Sequence, residues 1–446
     1  MKTPTKSAAL ALAILAGNAL LSTCFAQGSL TPPGGEPTPV MKSLTQIEPR
    51  TPINATTTPG NSGSAHLITQ PGSYYLESNL AVTNLNAISV TAADVTIDLR
   101  GFTISRAINT NGSAILVSGA NCTIRDGSVR GFARGIDGQF ALAGSVQLVT
   151  VRGFGDVAFF GNNGWRFTEC TAGNATNATQ AYGFSAGNDA RFDRCQVINL
   201  SAPNLGGFGS GNRCIFTACI VGNLAGSGTG FSAYDNCAFY SCLASGVHGT
   251  TGGFGFSVNE NCYFKDCQAN DNGSSPGQGS SGGFWTADGV TMIDCLAEHN
   301  VGANSTTPAR GGLGIWVYGT GLIQNCTVRA NSGDGIYVGS GNVTGAKFIN
   351  NVVEGNTMAG IHMVNGSGNV FEKNHLRGNG IGLHIATTAN LIIGNTATAN
   401  TTNYLIVTSN RYGPIVDLTG AGAASMSGNS AASTLVTTDP HANISY

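Results

Sequence analysis

Apolar and polar residues alternate along this chain in short bursts, and the bursts recur. An aromatic residue or Ile is followed eleven positions later by a cysteine seven times in succession: Phe159/Cys170, Phe184/Cys195, Phe208/Cys219, Phe231/Cys242, Phe256/Cys267, Phe284/Cys295 and Ile315/Cys326. The gap from each cysteine to the next aromatic is elastic and reaches twenty residues at its longest. One rigid half and one elastic half per unit predict a stacked repeat with its loops on one side. Each unit opens with Gly-[Phe/Ile/Leu]-x-apolar, as in Gly183-Phe184-Ser185-Ala186 and Gly360-Ile361-His362-Met363. A second strand such as Cys262-Tyr263-Phe264 follows, then a third such as Cys267-Gln268-Ala269. All three alternate with period two, so each predicts a strand with one buried face. Three short strands per unit read as one coil of a parallel β-helix, an all-β solenoid.

The slot usually held by cysteine falls at Arg100, Gly127, Val149, then Cys170 through Cys326, and last at Asn351, Asn374 and Asn395. That gives about thirteen coils and a solenoid roughly 60 Å long at ~4.8 Å per coil. The spacing Asn351-x4-Asn356, Asn374-x4-Asn379 and Asn395-x4-Asn400 predicts stacked amides, each donating to the next coil and satisfying turn backbone groups. With these residues the chain resembles the right-handed parallel β-helix proteins of the pectate-lyase-like group, over about residues 85–410. The leader, with Leu30-Thr31-Pro32-Pro33-Gly34 and Ile47-Glu48-Pro49-Arg50-Thr51-Pro52-Ile53, is similar to that of uncharacterised secreted bacterial β-helix proteins. The likeness implies a right-handed solenoid and carries no activity with it.

The ends divide accordingly. Lys2 and Lys6, an apolar run from Ala8 to Leu21 and Ser22-Thr23-Cys24-Phe25-Ala26 read as a signal peptide, residues 1–26. The run is short for a membrane span. A lipidated Cys24 is the alternative, against which Thr23 counts. Residues 27–84 read as a Pro/Gly linker and an N-terminal cap. Met41, Leu44 and Ile47 mark a short helix in that cap, and Ser73-Tyr74-Tyr75-Leu76 a strand closing the open edge. Residues 85–410 form the β-helix and 411–446 a C-terminal cap. The mature chain is expected to be secreted, periplasmic or at the cell surface, without a membrane span.

Charged residues are 10% of the chain and nearly balanced, with a formal net charge of -2. No basic patch of the kind that neutralises phosphates appears, which argues against nucleic-acid binding. Eleven of the 12 cysteines remain after signal cleavage. Stacked in one slot at ~4.8 Å they sit too far apart for the 3.5–4.5 Å Cβ separation of a disulfide. Cys214/Cys219, Cys237/Cys242 and Cys262/Cys267 stay open as in-coil pairs. The same first slot takes Trp165, Ala190, Val290 and Gly321, so buried thiol ladders are expected.

Chemistry belongs to outward positions. In the first strand the residue after Phe/Ile points out, and this slot reads Asp137, Phe160, Ser185, Gly209, Ser232, Ser257, Trp285, Trp316, Tyr337, His362, His384. The next outward slot adds Tyr234 and Tyr318. Exposed rings in a row suit the apolar faces of sugars, so Trp285, Trp316, Tyr337, His362, His384 and Tyr318 are candidate substrate-binding residues. A self-stacking ladder or an oligomer contact is the alternative. Seven residues before the cysteine stand Asp235, Glu260 and Asp288, after Asn163, Asn188 and Asn212 in earlier coils. As candidate catalytic groups, Glu260 is the general acid whose pKa like charge raises, and Asp235 or Asp288 the base or nucleophile. As plain turn residues they complete a polar column. A shared Ca²⁺ would need more oxygens than three carboxylates supply; no metal or other cofactor is expected. If the column is only a turn, His362 and His384 are left to orient substrate or act as base.

The longest elastic segments, 270–281 and 298–312, lead into the strands of Trp285 and Trp316, as functional loops do. By resemblance, pectate-lyase-like enzymes place their cleft there. The Asp set with an Arg or Lys base of the pectate-lyase kind is not seen. Asp439-Pro440-His441 is similar to an epimerase motif but lies in the tail, and His248-Gly249 falls in a variable loop. The expectation is an exported protein whose partner is a polysaccharide or surface glycan, as a lyase or hydrolase if catalytic. The alternative is a non-catalytic structural or adhesive β-helix.

Overall fold

The computed structural model describes residues 49–107, 111–175, 179–249, 252–274, 279–302, 311–339, 341–418 and 437–446. Pairing is parallel throughout the named strands and links each strand to its equivalent one coil on. Fifteen strands form the first sheet, from Ser64–Ile68 to Thr402–Ile406. A second sheet runs from Thr51–Pro52 to Arg411–Tyr412 and a third from Leu80–Ala81 to Asn443–Ser445. The chain is a parallel β-helix with two coils more than expected. Regular pairing begins before residue 85, because Ser64–Ile68 already pairs with Asn86–Val90. Residues 73–75 are no separate lid: Gly72–Tyr75 is an ordinary second-sheet strand between Thr51–Pro52 and Val95–Asp98. Among the described residues there is no helix; the helix expected at 41–47 and the signal segment lie outside them.

Self-stacking side chains hold the coils together. Phe159, Phe184, Phe208, Phe231, Phe256 and Phe284 stack with centroids 4.6 to 4.8 Å apart. Phe192, Phe216, Phe239 and Phe264 of the second sheet form a parallel stack at 4.6 to 4.7 Å and meet the first edge to face. Both contacts are the favoured aromatic geometries. The rigid half of each repeat ends in the short turn between second and third strands. There one residue takes the left-handed conformation, as Ala218 (φ 51) and Ser241 (φ 53) do, just before the cysteine slot.

All eleven described cysteines are buried and unbridged, Cys214, Cys237 and Cys262 included. The thiols hydrogen-bond the core backbone: Cys170 Sγ donates to Val146 O of the preceding coil at 3.5 Å, and Cys219 Sγ to Phe192 O at 3.5 Å. Asparagine does the same work better. Asn374 Nδ2 donates to Phe348 O at 2.8 Å, and Asn374 Oδ1 accepts the Asn351 amide N–H at 3.1 Å. The handover is direct, since Cys326 N donates to Asn351 Oδ1 at 2.9 Å. Cys and Asn each supply one donor and one acceptor along the axis, so the column passes from Cys326 to Asn351 without a break. Trp165 fits the first cysteine slot because Gly138, Gly144 and Gly161 face it; a Cβ at Gly138 would stand 2.0 Å from the indole.

Candidate functional site

The outer face of the first sheet is where strand parity leaves side chains free of the core. Register places Asp137, Phe160, Ser185, Gly209, Ser232, Ser257, Trp285, Trp316, Tyr337, His362 and His384 in one axial row. The structure brings Trp285, Trp316, Tyr337, His362, His384 and Tyr318 together as a continuous patch. Trp285 and Tyr318 approach at 6.0 Å, Trp316 and Tyr337 meet edge to face at 5.8 Å, and Tyr337 meets His362 at 5.8 Å. His362 and His384 stack at 4.3 Å and 13°. Trp285 and Trp316 are half-buried and Tyr318 is exposed. Trp316 is braced by Phe254 at 6.2 Å and by a 3.1 Å hydrogen bond from Nε1 to Gly339 O.

Tyr337 departs from expectation. It occupies the outward row yet is only 6% exposed. Gly339, two residues on, has no side chain, and the phenol lies over it: a Cβ there would be 2.9 Å from the hydroxyl. Tyr337 is therefore a wedge between Trp316 and His362, not a face for a ligand.

The acidic column is built as a turn ladder. Asn163 Oδ1 accepts Asn188 N at 2.8 Å, Asn188 Oδ1 accepts Asn212 N at 2.8 Å, and Asn212 Oδ1 accepts Asp235 N at 3.1 Å. Asp235 Oδ1 continues with Glu260 N at 3.2 Å, and Asp288 Oδ1 takes Thr320 N at 2.7 Å together with the Thr320 hydroxyl. Those Thr320 donors hold the Asp288 carboxyl below the usual range. Glu260 and Asp288 are exposed. A desolvated acid paired with a second carboxylate, as glycoside hydrolysis uses, is not assembled there.

Sequence reading passed over a neighbouring row, three residues before the outward one. Asp334, 2% exposed, accepts Ala359 N at 2.9 Å and faces His362 Nδ1 at 3.0 Å. The carboxylate fixes the imidazole and leaves its Nε2 for a ligand. At the other end of the sheet Asp137, 2% exposed, accepts Ser113 Oγ at 3.0 Å and Arg134 Nη1 at 3.1 Å. Arg134 Nε donates to Asp156 Oδ2 at 2.9 Å, Gln180 Nε2 donates to Asp156 Oδ1 at 2.6 Å, and the guanidinium lies 5.3 Å from the Phe160 ring. The available signal was Arg134 and Asp137 at i, i+3 on one strand, with Asp137 in the outward slot.

Other expectations place simply. His248 lies on a third-sheet strand, Leu243–Gly249, instead of a loop. In the tail, Asp439 Oδ1 caps its own turn by accepting His441 N at 2.8 Å, and Asn443–Ser445 then closes the third sheet. Residues 275–278 and 303–310 of the two long segments are outside the described ones. Among the described residues no helix is long and apolar enough to cross a membrane, and no three His, Cys, Asp or Glu side chains are placed to hold a metal ion.

A family model described as a right handed beta helix region matches residues 304–433. No curated protein matches the chain by sequence. Solved structures similar to it include the mannuronan C-5 epimerase AlgE6 A-module of Azotobacter vinelandii, at 13% identity over 73% of this chain and 90% of that one, TM-score 0.45. The catalytic domain of a GH87 alpha-1,3-glucanase in complex with nigerose is similar at 12% identity over 82% and 70%, TM-score 0.35. Tailspike protein 3 of bacteriophage CBA120 is similar at 13% identity over 82% and 58%, TM-score 0.32. The chain is a right-handed parallel β-helix repeat protein; nothing about activity follows from likenesses of this depth.

Proposed function

We propose that this chain is an exported protein that binds a glycan along the outer face of its first sheet. The observation that carries the reading is the in-register row of Trp285, Trp316, His362 and His384 beside exposed Tyr318, a set of rings outside a core that already has its own aromatic stacks. Half-buried indoles offer a rigid apolar face to the C–H faces of sugar rings, and the imidazoles add hydrogen bonds at the edge. Export rests on the N-terminal segment Lys2 to Ala26. Affinity electrophoresis through gels containing single polysaccharides tests it: wild type is retarded, and Trp285→Ala is not. Equal retardation of the two proteins refutes the role of this face.

Turnover of the bound glycan is a second reading, favoured by the Asp334–His362 pair. A buried carboxylate 3.0 Å from Nδ1 orients the imidazole as general acid–base groups are oriented. Reducing-sugar and unsaturated-product assays on the polymer that is bound decide it. Activity that His362→Gln abolishes while binding survives supports catalysis; binding without any product leaves a binding protein.

A further inference from the structure

The glycan-binding face has a second end. A cavity of about 430 Å³ is lined by Asn111, Ser113, Arg134, Asp156, Thr179 and Gln180. It adjoins another of about 420 Å³, lined by Gln180, Tyr182, Gly206, Gly209, Thr229 and Ser232. Gln180 lines both, so the two depressions adjoin. The outward row there is small: Ser185, Gly209, Ser232 and Ser257 occupy it between Phe160 and Trp285. The two depressions span the coils from Ser113 to Ser232, and the same outward row continues through Ser257 to the indoles at Trp285 and Trp316. Seven coil steps separate Arg134 from the strand of Trp316, roughly 34 Å at ~4.8 Å each.

Charge along this path is decisive. Arg134 is bound by two carboxylates, Asp137 and Asp156, and a third carboxylate, Asp334, faces His362. At the polar end one cation therefore stands against two anions. Asp235, Glu260 and Asp288 add negative charge along one edge. A polyuronate would bring further carboxylates into a field of its own sign, with the one guanidinium already neutralised. A neutral polyol meets matched groups instead. Carboxylates accept from its hydroxyls, the outer guanidinium N–H groups and the Asn111 amide donate to its oxygens, and Phe160 offers a ring face.

We infer that the ligand is an uncharged polysaccharide chain, held at both ends of one outward row: stacked at Trp285 and Trp316, and hydrogen-bonded at Arg134, Asp156 and Gln180. This rests on the glycan reading above. The polar end is set before ligand arrives, because buried Asp137 fixes Arg134 and Arg134 fixes Asp156.

The test uses the full chain and two variants. Gln180→Ala removes an exposed side chain without leaving a buried charge unpaired, and its melting temperature should match wild type. Affinity gels would carry neutral polymers (α- and β-glucans, mannan, xylan) or polyuronates (polygalacturonate, alginate), followed by calorimetry on a length series of the best binder. Expected is retardation by a neutral polymer and not by polyuronates. Affinity should rise with chain length until the chain reaches both ends. Gln180→Ala should weaken long chains by about tenfold, the worth of one hydrogen-bonding group, and leave short ones unchanged; Trp285→Ala should weaken both. Retardation by polyuronates over neutral polymers overturns the charge argument while leaving the glycan reading intact. Long chains that bind Gln180→Ala as tightly as wild type overturn the polar subsite. No retardation of wild type by any polymer removes the glycan reading itself, and this inference with it.

Discussion

Replacing Asn374 with Ala is the sharpest probe of how the coils are joined. The side chain is 1% exposed and makes its bonds in both directions along the axis. Nδ2 donates to Phe348 O at 2.8 Å and to Asn395 Oδ1 at 2.9 Å, while Oδ1 accepts Asn351 N at 3.1 Å and Asn351 Nδ2 at 2.9 Å. Alanine leaves the Asn351 amide N–H and one Asn351 side-chain hydrogen without partners in a dry core, while the Phe348 carbonyl keeps its place in the strand ladder. At about 1–3 kcal/mol per buried orphan, less the regained side-chain entropy of about 1 kcal/mol, the cost should be about 3 kcal/mol. Asn374→Cys should cost about half of that, since a thiol supplies one weak donor and one weak acceptor, as Cys170 does toward Val146 O in the same column. Urea unfolding followed by far-ultraviolet circular dichroism measures both, and an unchanged m-value certifies that the same transition is compared. An alanine variant losing less than about 1 kcal/mol, or proving more stable than the cysteine variant, would refute the claim that this column joins the coils by hydrogen bonding.

Three further outcomes follow. The eleven described thiols should be silent to an aromatic disulfide reagent in the native protein and all react in denaturant. Burial, with Cys195 as hydrogen-bonded neighbour, pushes the Cys170 thiol up, and burial does the same at Cys219; a denatured, unreduced sample without reactive thiols would show disulfides instead. Asp288 is held below its ordinary pKa by Thr320, so its contribution to stability is present above the unfolded carboxylate pKa and fades as pH falls through the lowered folded value. Melting temperatures of wild type and Asp288→Ala should differ slightly at pH 6 and converge below pH 3; a gap that widens in acid would reverse the sign. Tyr337→Ala should cost about 3 kcal/mol because it empties a buried site. Tyr318→Ala, at a side chain 42% exposed, should stay within about 0.5 kcal/mol. The opposite ranking by thermal unfolding would put the phenol of Tyr337 back on the surface.

How far the residues speak for themselves depends on which side of the sheet they face. The phenylalanine and cysteine columns were legible because a core slot repeats one chemistry coil after coil, and period two then gives the direction of each side chain. The earliest coils were not: Ser64-Ala65-His66-Leu67-Ile68 has neither the Gly-Phe opening nor a cysteine, yet it pairs like the rest. Parity also gives side without depth, so Tyr337 was placed on the right face and at the wrong burial, a matter decided by Gly339 two positions on. The Asp137–Arg134–Asp156 cluster stayed hidden because Asp156 joins it from the next coil, across 22 residues of sequence. The acidic turn column stayed open between catalytic carboxylates and a polar turn because spacing alone cannot say that an oxygen receives the next coil's amide N–H.

That division bears on function. Each coil adds one residue to every row, and in the inward rows long runs stack on themselves: Phe on Phe at 4.7 Å, or Asn on Asn at 2.9 Å. An outward row is free of that constraint, so a change in its composition records something other than folding. From Phe184 to Ile361 the inward position stays Phe or Ile. Over the same coils its outward neighbour passes from Ser185, Gly209, Ser232 and Ser257 to Trp285, Trp316, Tyr337 and His362. No demand of the core explains that switch, since serine or glycine served four coils of the same geometry. Indole faces at the water boundary are costly to leave without a partner. Their abrupt appearance beside a buried Asp–His pair, in line with a row of Gly and Ser, is accounted for by a ligand that lies along the axis.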